Sequence, residues 1–230
     1  MTGERVVSAL EVYESVDEPA PAAAPLLAPS VGDLRFRTLV GEAAWAELPE
    51  AVRRRFSICL APDETLVYRG NVVATELSRA GRILSFLARA IGSPLPLTDG
   101  ATGPALVVVT EDVRLGGQSW LRIYTRPGRF PQSIHSAKRF RGPTGLEEYV
   151  GCGIGMSLCV TVESGALVFR SAAYFLEIGR WRLPLPRAMH PGRMQIEHRD
   201  EGNGSFAFSL ELSHPLVGRL VHQFAIFRDT

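Results

Sequence analysis

The hydrophobic period of the chain changes near Pro104, and this change separates a helical part from a strand-rich part. Before Pro104, apolar residues recur every three or four positions, which predicts short helices from Asp33 and from Pro49. The triplet Arg53–Arg55 is expected on the solvated side of the second of these helices. Residues 66–77 are an exception, because their β-branched and aromatic side chains predict a strand.

A further helix is predicted directly after this strand. Ser78 has the side chain of an N-cap, and Gly92, followed by two prolines, marks the end of the helix. The apolar stripe of this helix consists of Ile83, Leu84, Leu87 and Ile91. We interpret the stripe as a surface that packs on the core and not as one that binds a membrane.

From Pro104 onward, apolar and polar residues alternate, which is the period of half-buried strands. Segments rich in Gly, Pro and Asn separate eight or nine such strands, spaced as hairpins. No helix-length segment lies between them, so the parallel crossovers of a Rossmann-type sheet are not predicted. The sequence predicts an α+β fold in which N-terminal helices pack on a strongly curved antiparallel β-sheet. Closure into a barrel is one option, because it removes exposed edges.

Composition indicates one globular domain over residues 33–230, preceded by a flexible tail rich in Ala and Pro over residues 1–32. The chain has 230 residues, 46% hydrophobic and 21% charged, with a net charge of +1, so no general affinity for nucleic acid is expected. The acidic N-terminal segment does not resemble a signal peptide, and no apolar run approaches the ~20 residues of a membrane helix. We expect a cytoplasmic protein with no integral membrane association.

Cysteine and histidine positions predict no metal site and no cofactor. Cys59, Cys152 and Cys159 form no Cys-x-x-Cys pair, and they are expected to be reduced and mostly buried thiols. The glycine-rich run 151–155 precedes a strand pattern and not a helix, so we interpret it as a bulged or tightly packed strand crossing and not as a phosphate-binding loop.

The densest polar chemistry lies between Phe130 and Met156. On a strand, Gln132, Ser136 and Lys138 share one face, while His135 and Arg139 share the other. Neither face is cleanly apolar, which suggests a wet cavity or a hydrogen-bonded network.

A predicted turn at residues 142–145 would bring Glu147 and Glu148 close to these basic residues. Adjacent carboxylates on a strand point to opposite faces, so only one of the two glutamates is expected at a common site. The other glutamate would face outward or pair with an arginine.

Two interpretations of this hairpin remain open. In the first, its charges form cross-strand ion pairs. In the second, a polar cluster binds or transforms a ligand, with His135, Lys138 and Glu147 as candidate catalytic residues, because histidine exchanges protons near neutral pH. The candidate ligand-binding residues are Gln132, Ser136, Arg139, Glu148, Arg122 and Tyr124. Arg122 and Tyr124 share a strand face with Trp120 and Arg126, which we interpret as an exposed cation–π ladder or an anion-binding surface.

The segment Phe130–Met156, with Pro-Gln-x-Ile-His-Ser-Ala-Lys-Arg-Phe followed by Gly-Pro-Thr-Gly-Leu-Glu-Glu, resembles the bacterial family known as domain of unknown function 4166. Similar stretches are residues 36–55, 81–97, 174–191 and 214–227. The resemblance implies no established activity and no agreed catalytic residues. Members of the family are often fused behind saccharopine-dehydrogenase-like or short-chain-reductase-like domains, which implies a role in small-molecule metabolism beside a reductase partner.

Three functions are therefore kept as hypotheses. The first is binding of a hydrophobic or amphipathic small molecule in a pocket lined by the β-sheet. The second is a metal-free isomerase, cyclase or hydrolase that acts on such a ligand by acid/base chemistry. The third is a non-catalytic partner of a reductase.

Overall fold

A computed structural model describes residues 33–126 and 128–229; the predicted tail over residues 1–32 lies outside the described residues. Helices α1 to α4 span Arg35–Val40, Glu42–Glu47, Glu50–Phe56 and Arg79–Leu87, and two 3-10 turns span Ala88–Ile91 and Arg187–Met189. Strands β1 to β11 span, in order, Thr65–Leu77, Gly103–Asp112, Gly117–Arg126, Arg129–Arg139, Glu147–Gly151, Ile154–Glu163, Ala166–Ile178, Trp181–Pro184, Arg193–Gly202, Ser205–His214 and Gly218–Arg228.

Ten of these strands form a closed antiparallel barrel. Strands β1 to β6 pair in sequence, β6 pairs with β7, β7 with β9, and β9 to β11 continue until β11 meets β1. The predicted α+β fold with a strongly curved antiparallel sheet is confirmed, and the sheet is closed. From Gly103 onward the described residues form ten strands and not eight or nine, since β5 and β8 are only five and four residues long.

Helices α1 to α3 cover one end of the barrel. Phe36 of α1 is 1% exposed and contacts the rings of Phe56, Phe140 and Phe169 edge-on, with ring centroids 5.0 to 6.0 Å apart. Such edge-to-face packing aligns the positive ring edge with the negative face of its neighbour. Phe36 therefore anchors the helices to the barrel interior.

The expectation that Arg55 lies on a solvated helix face is wrong. Its side chain is buried, and Nε donates to Asp229 Oδ1 at 2.6 Å while Nη2 donates to Asp200 Oδ1 at 2.8 Å. Asp200 belongs to β9 and Asp229 directly follows β11, so the two ion pairs join α3 to this end of the barrel. The expectation of mostly buried cysteines is also wrong, because Cys59, Cys152 and Cys159 are all exposed.

Helix α4 covers the opposite end and begins and ends as predicted. Ser78 Oγ accepts a hydrogen bond from Gly81 N at 3.1 Å, and Gly92 ends the 3-10 turn with a left-handed φ of 101°. A Cβ at Gly81 would overlap the Leu220 carbonyl, so α4 lies very close to β11. Among the described residues, no helix is long and apolar enough to cross a membrane.

Only half of the predicted apolar stripe on α4 packs inward. Leu84 and Ile91 face the barrel interior, whereas Ile83 and Leu87 are mostly exposed. The interpretation of the whole stripe as a core surface is therefore wrong for Ile83 and Leu87.

Replacing Phe36 by alanine should lower the free energy of unfolding by about 3–5 kcal/mol, the usual cost of removing a buried phenylalanine ring. Leu34→Ala, at a mostly exposed position beside the same helix, is the control and should change stability by less than about 0.5 kcal/mol. Urea unfolding of the two variants makes the comparison. Equal effects would show that Phe36 does not anchor the helical end.

Candidate ligand-binding cavity

A cavity of about 230 Å³ lies inside the barrel beneath α4. Its walls are formed mostly by apolar side chains from several strands and from α4. The main members are Leu84, Ile134, Met156, Ile196, Leu210 and Leu212. These strand residues face inward because side chains at alternate positions of a strand share one face. The segment containing Leu185, Met189 and Pro191 borders the cavity as well.

A charged cluster interrupts this apolar wall. Arg122 of β3, Ser136 of β4 and Glu148 of β5 all line the cavity. Arg122 Nη2 donates to Ser136 Oγ at 3.1 Å and to Glu148 Oε1 at 3.2 Å. Lys138 Nζ lies 3.2 Å from the same Glu148 oxygen. Lys138 and Glu148 are register partners on β4 and β5, so the barrel fixes this pairing.

The two basic groups keep Glu148 ionised. Burial alone would raise the pKa of Glu148, but the charges of Lys138 and Arg122 and hydrogen bonds from Ser136 and Lys138 lower it to about 2. Burial also lowers the pKa of Lys138, and Glu148 opposes that shift only in part. One carboxylate faces two cations, so the cluster carries a surplus of positive charge when all three groups are ionised.

Aromatic and polar side chains continue the interior face of β3. Trp120 and Tyr124 lie on the same inward side as Arg122, and Lys138 Nζ is 4.8 Å from the Trp120 ring centroid. The interpretation of this face as an exposed ladder is therefore wrong. A second, smaller cavity of about 50 Å³ shares Arg122 with the first and is also lined by His198. Burial and the Arg55 charge lower the pKa of His198 to about 3, so this imidazole is neutral at pH 7.

A family model described as "Domain of unknown function (DUF4166)" matches residues 48–227. The chain belongs to this family. The match includes every strand of the barrel and all members of the Arg122–Glu148 cluster, and the resemblance seen in the sequence is confirmed. Comparisons with curated proteins and with solved structures gave no match.

The DUF4166 barrel separates the three residues that the sequence analysis grouped as catalytic candidates. Lys138 faces the interior, whereas His135, on the alternate positions of β4, is exposed and borders both the cavity and an outer groove beside Tyr149. In the described part of the chain, no hydrogen bond or ion pair joins His135 to Lys138 or Glu147.

The two adjacent glutamates point to opposite sides of β5, as their positions predict. Glu148 lines the cavity, and Glu147 is buried on the other side, where Arg182 Nη2 is 2.5 Å and Arg141 Nε is 3.3 Å from its carboxylate. Arg139 also lies on that side and stacks over Tyr149, with 4.1 Å from guanidinium carbon to ring centroid. Ion pairs, as in the first interpretation, therefore occur on both sides of β5, while ligand binding by the inner cluster stays a prediction.

Gln132 has a different position from the one expected of a ligand-binding residue. Its Oε1 accepts from Leu97 N at 3.1 Å, and its Nε2 donates to the Leu95 carbonyl at 2.8 Å. These hydrogen bonds fasten the loop after α4 to the edge of β4. Sequence reasoning missed the role of this loop, which supplies Pro94 and Leu95 to the cavity wall, because irregular segments have no period that reveals their packing.

Replacing Glu148 by glutamine should lower the free energy of unfolding at neutral pH by about 3–5 kcal/mol, because it leaves two buried cations without a counter-charge. The folded-state pKa of Glu148 is lowered to about 2, so its contribution is present above the usual carboxyl range and is lost as pH falls toward that value. Urea unfolding as a function of pH should therefore show a smaller loss of stability in acid for Glu148→Gln than for the parent protein.

The exposed Glu201 provides the control, Glu201→Gln, which should leave both the stability at neutral pH and its acid dependence nearly unchanged. Matching profiles for the two variants would contradict the assignment of Glu148 as the charge that balances the cluster.

Proposed function

We propose that this protein binds a small amphipathic molecule, with its apolar body in the 230 Å³ cavity and its polar head at the Arg122–Ser136–Glu148 cluster. The observation that carries the proposal is the position of this cluster, which lies in a mostly apolar wall inside the barrel. Ligand pockets of proteins combine such an apolar lining with a few polar groups that orient the ligand.

The size of the cavity favours a compact ligand. It exceeds the ~150 Å³ of a core cavity that accommodates benzene, and it is smaller than the ~300–1,000 Å³ of pockets for drug-sized ligands. A single ring system or a short hydrocarbon chain would fit these limits.

The charge of the cluster favours an anionic head, such as a carboxylate. When all three groups are ionised, Arg122 and Lys138 carry two positive charges and Glu148 supplies one negative charge. A buried charge without a partner is costly, so an anion that arrives beside Arg122 would relieve the imbalance. The planar guanidinium also has donors left for a carboxylate after its bonds to Ser136 and Glu148.

The electrostatics of Glu148 does not favour a role for this carboxylate as a general base. A general base works best when its pKa lies near the working pH. Glu148, with a pKa of about 2, is a weak base at neutral pH. A cytoplasmic location and a reductase partner are part of the same proposal; the domain fusions that the family resemblance implies support the partner.

Titration calorimetry with straight-chain carboxylates and the matching primary alcohols tests the proposal. The parent protein should bind a carboxylate more tightly than the alcohol of equal length. Arg122→Met should weaken carboxylate binding by about 10–100-fold, the value of a charged hydrogen bond, and should affect the alcohol much less.

A larger side chain that fills the cavity tests where the apolar part of the ligand binds. Leu212→Trp, whose side chain would occupy the cavity, should reduce binding of both compounds, while Leu106→Trp on the outer face of β2 should not. Binding that is unaffected by both Leu212→Trp and Arg122→Met would contradict this site.

A further inference from the structure

Helix α4 is apolar on two faces. Leu84, with Ala88 and Ile91 of the following 3-10 turn, lines the cavity. Ile83, Phe86 and Leu87 lie on the outer side with exposures of 62%, 64% and 63%. A surface helix normally presents charged and polar residues to solvent, so this outer face has the composition of a contact surface.

The apolar surface continues onto the β3–β4 turn. Phe130, at the start of β4, is 92% exposed, which leaves its ring with almost no packing inside the chain. Phe86 and Phe130 border the same surface depression, so the outer face of α4 and the turn form one continuous patch. Met189, which borders the cavity, is also mostly exposed.

Five arginines lie on α4, on the 3-10 turn that follows it and at the ends of β3 and β4 next to this patch. They are Arg79, Arg82, Arg89, Arg126 and Arg129. In the described part of the chain, only Arg82 among these five has an ion pair, with Asp99 at 3.7 Å. Two arginines of the opposite end have close acidic partners instead: Arg35 pairs with Glu111, and Arg55 with Asp200 and Asp229. Arg79, Arg89, Arg126 and Arg129 therefore give this patch positive charge that no acidic side chain of the described residues balances.

We propose that the surface formed by the outer face of α4 and the β3–β4 turn docks on a lipid bilayer that contains anionic lipids. Phe86, Leu87 and Phe130 would enter the interfacial region, and the arginines would contact the head groups. The arginines are distributed over the helix, the 3-10 turn and the hairpin, which matches an extended sheet of negative charge better than one compact acidic site on a protein. Docking would place the cavity beside the membrane; this benefit rests on the proposed ligand binding.

Co-sedimentation of the full, ligand-free chain with vesicles tests the proposal. Binding should be at least about tenfold tighter to vesicles of three parts phosphatidylcholine and one part phosphatidylglycerol than to phosphatidylcholine alone, and should weaken in high salt. The double variant Phe86→Ser/Phe130→Ser should lose at least about tenfold in affinity for the anionic vesicles.

The β2–β3 turn at the opposite end provides a matched control. Val113 and Leu115 are exposed apolar residues that flank the exposed Arg114, and Val113→Ser/Leu115→Ser should bind vesicles as the parent does. Equal loss in both double variants, no preference for anionic vesicles, or no vesicle binding would overturn the proposal; in the last case a protein partner would be the occupant to test. Phe86→Ser/Phe130→Ser should keep its carboxylate binding in the calorimeter, so the two proposals can fail separately.

Discussion

The burial of Glu148 between Arg122 and Lys138 is the interaction on which the interior of this barrel depends. Three charged side chains from β3, β4 and β5 meet at one carboxylate oxygen, and all are nearly inaccessible to solvent. Desolvation of such groups costs several kcal/mol for each ion, and only close pairing offsets it. The three strands must therefore keep their register, because a slip of one residue would turn each charge to the other face.

The same constraint explains why the interior is not completely filled. Arg122 lies between the larger cavity and the smaller one, and it contributes to the walls of both. A guanidinium held by Ser136 and Glu148 cannot move aside to let apolar side chains pack across the barrel. The polar cluster fixes its own position and leaves room beneath α4, which an all-apolar interior would be free to close.

Much of the fold could be predicted from the sequence, but only part of the site. The alternation after Pro104 identified the antiparallel strands, and the parity of Glu147 and Glu148 correctly placed them on opposite sides. The alternation of side chains along β5 did not predict which side faces the interior, because neither face of the neighbouring β4 is cleanly apolar. Arg55 was misread because its partner Asp200 is 145 positions away in the sequence. Arg122 was misread because basic residues are usually exposed, and only the closed barrel shows that its partner Glu148 faces the interior.

Helix α4 has apolar side chains both toward the cavity and toward solvent. The hydrophobic period of the sequence cannot distinguish these two positions. Its apolar stripe is wider than one buried face needs, and the structure divides it between the cavity and the outer surface. Gly81 keeps the helix against β11 because any larger residue would overlap the Leu220 carbonyl. The exposed phenylalanine and leucine thus lie only one helix thickness from the cavity. A contact that shifts the outer face of α4 would therefore also shift the side chains that line the cavity, because both sets belong to one short helix.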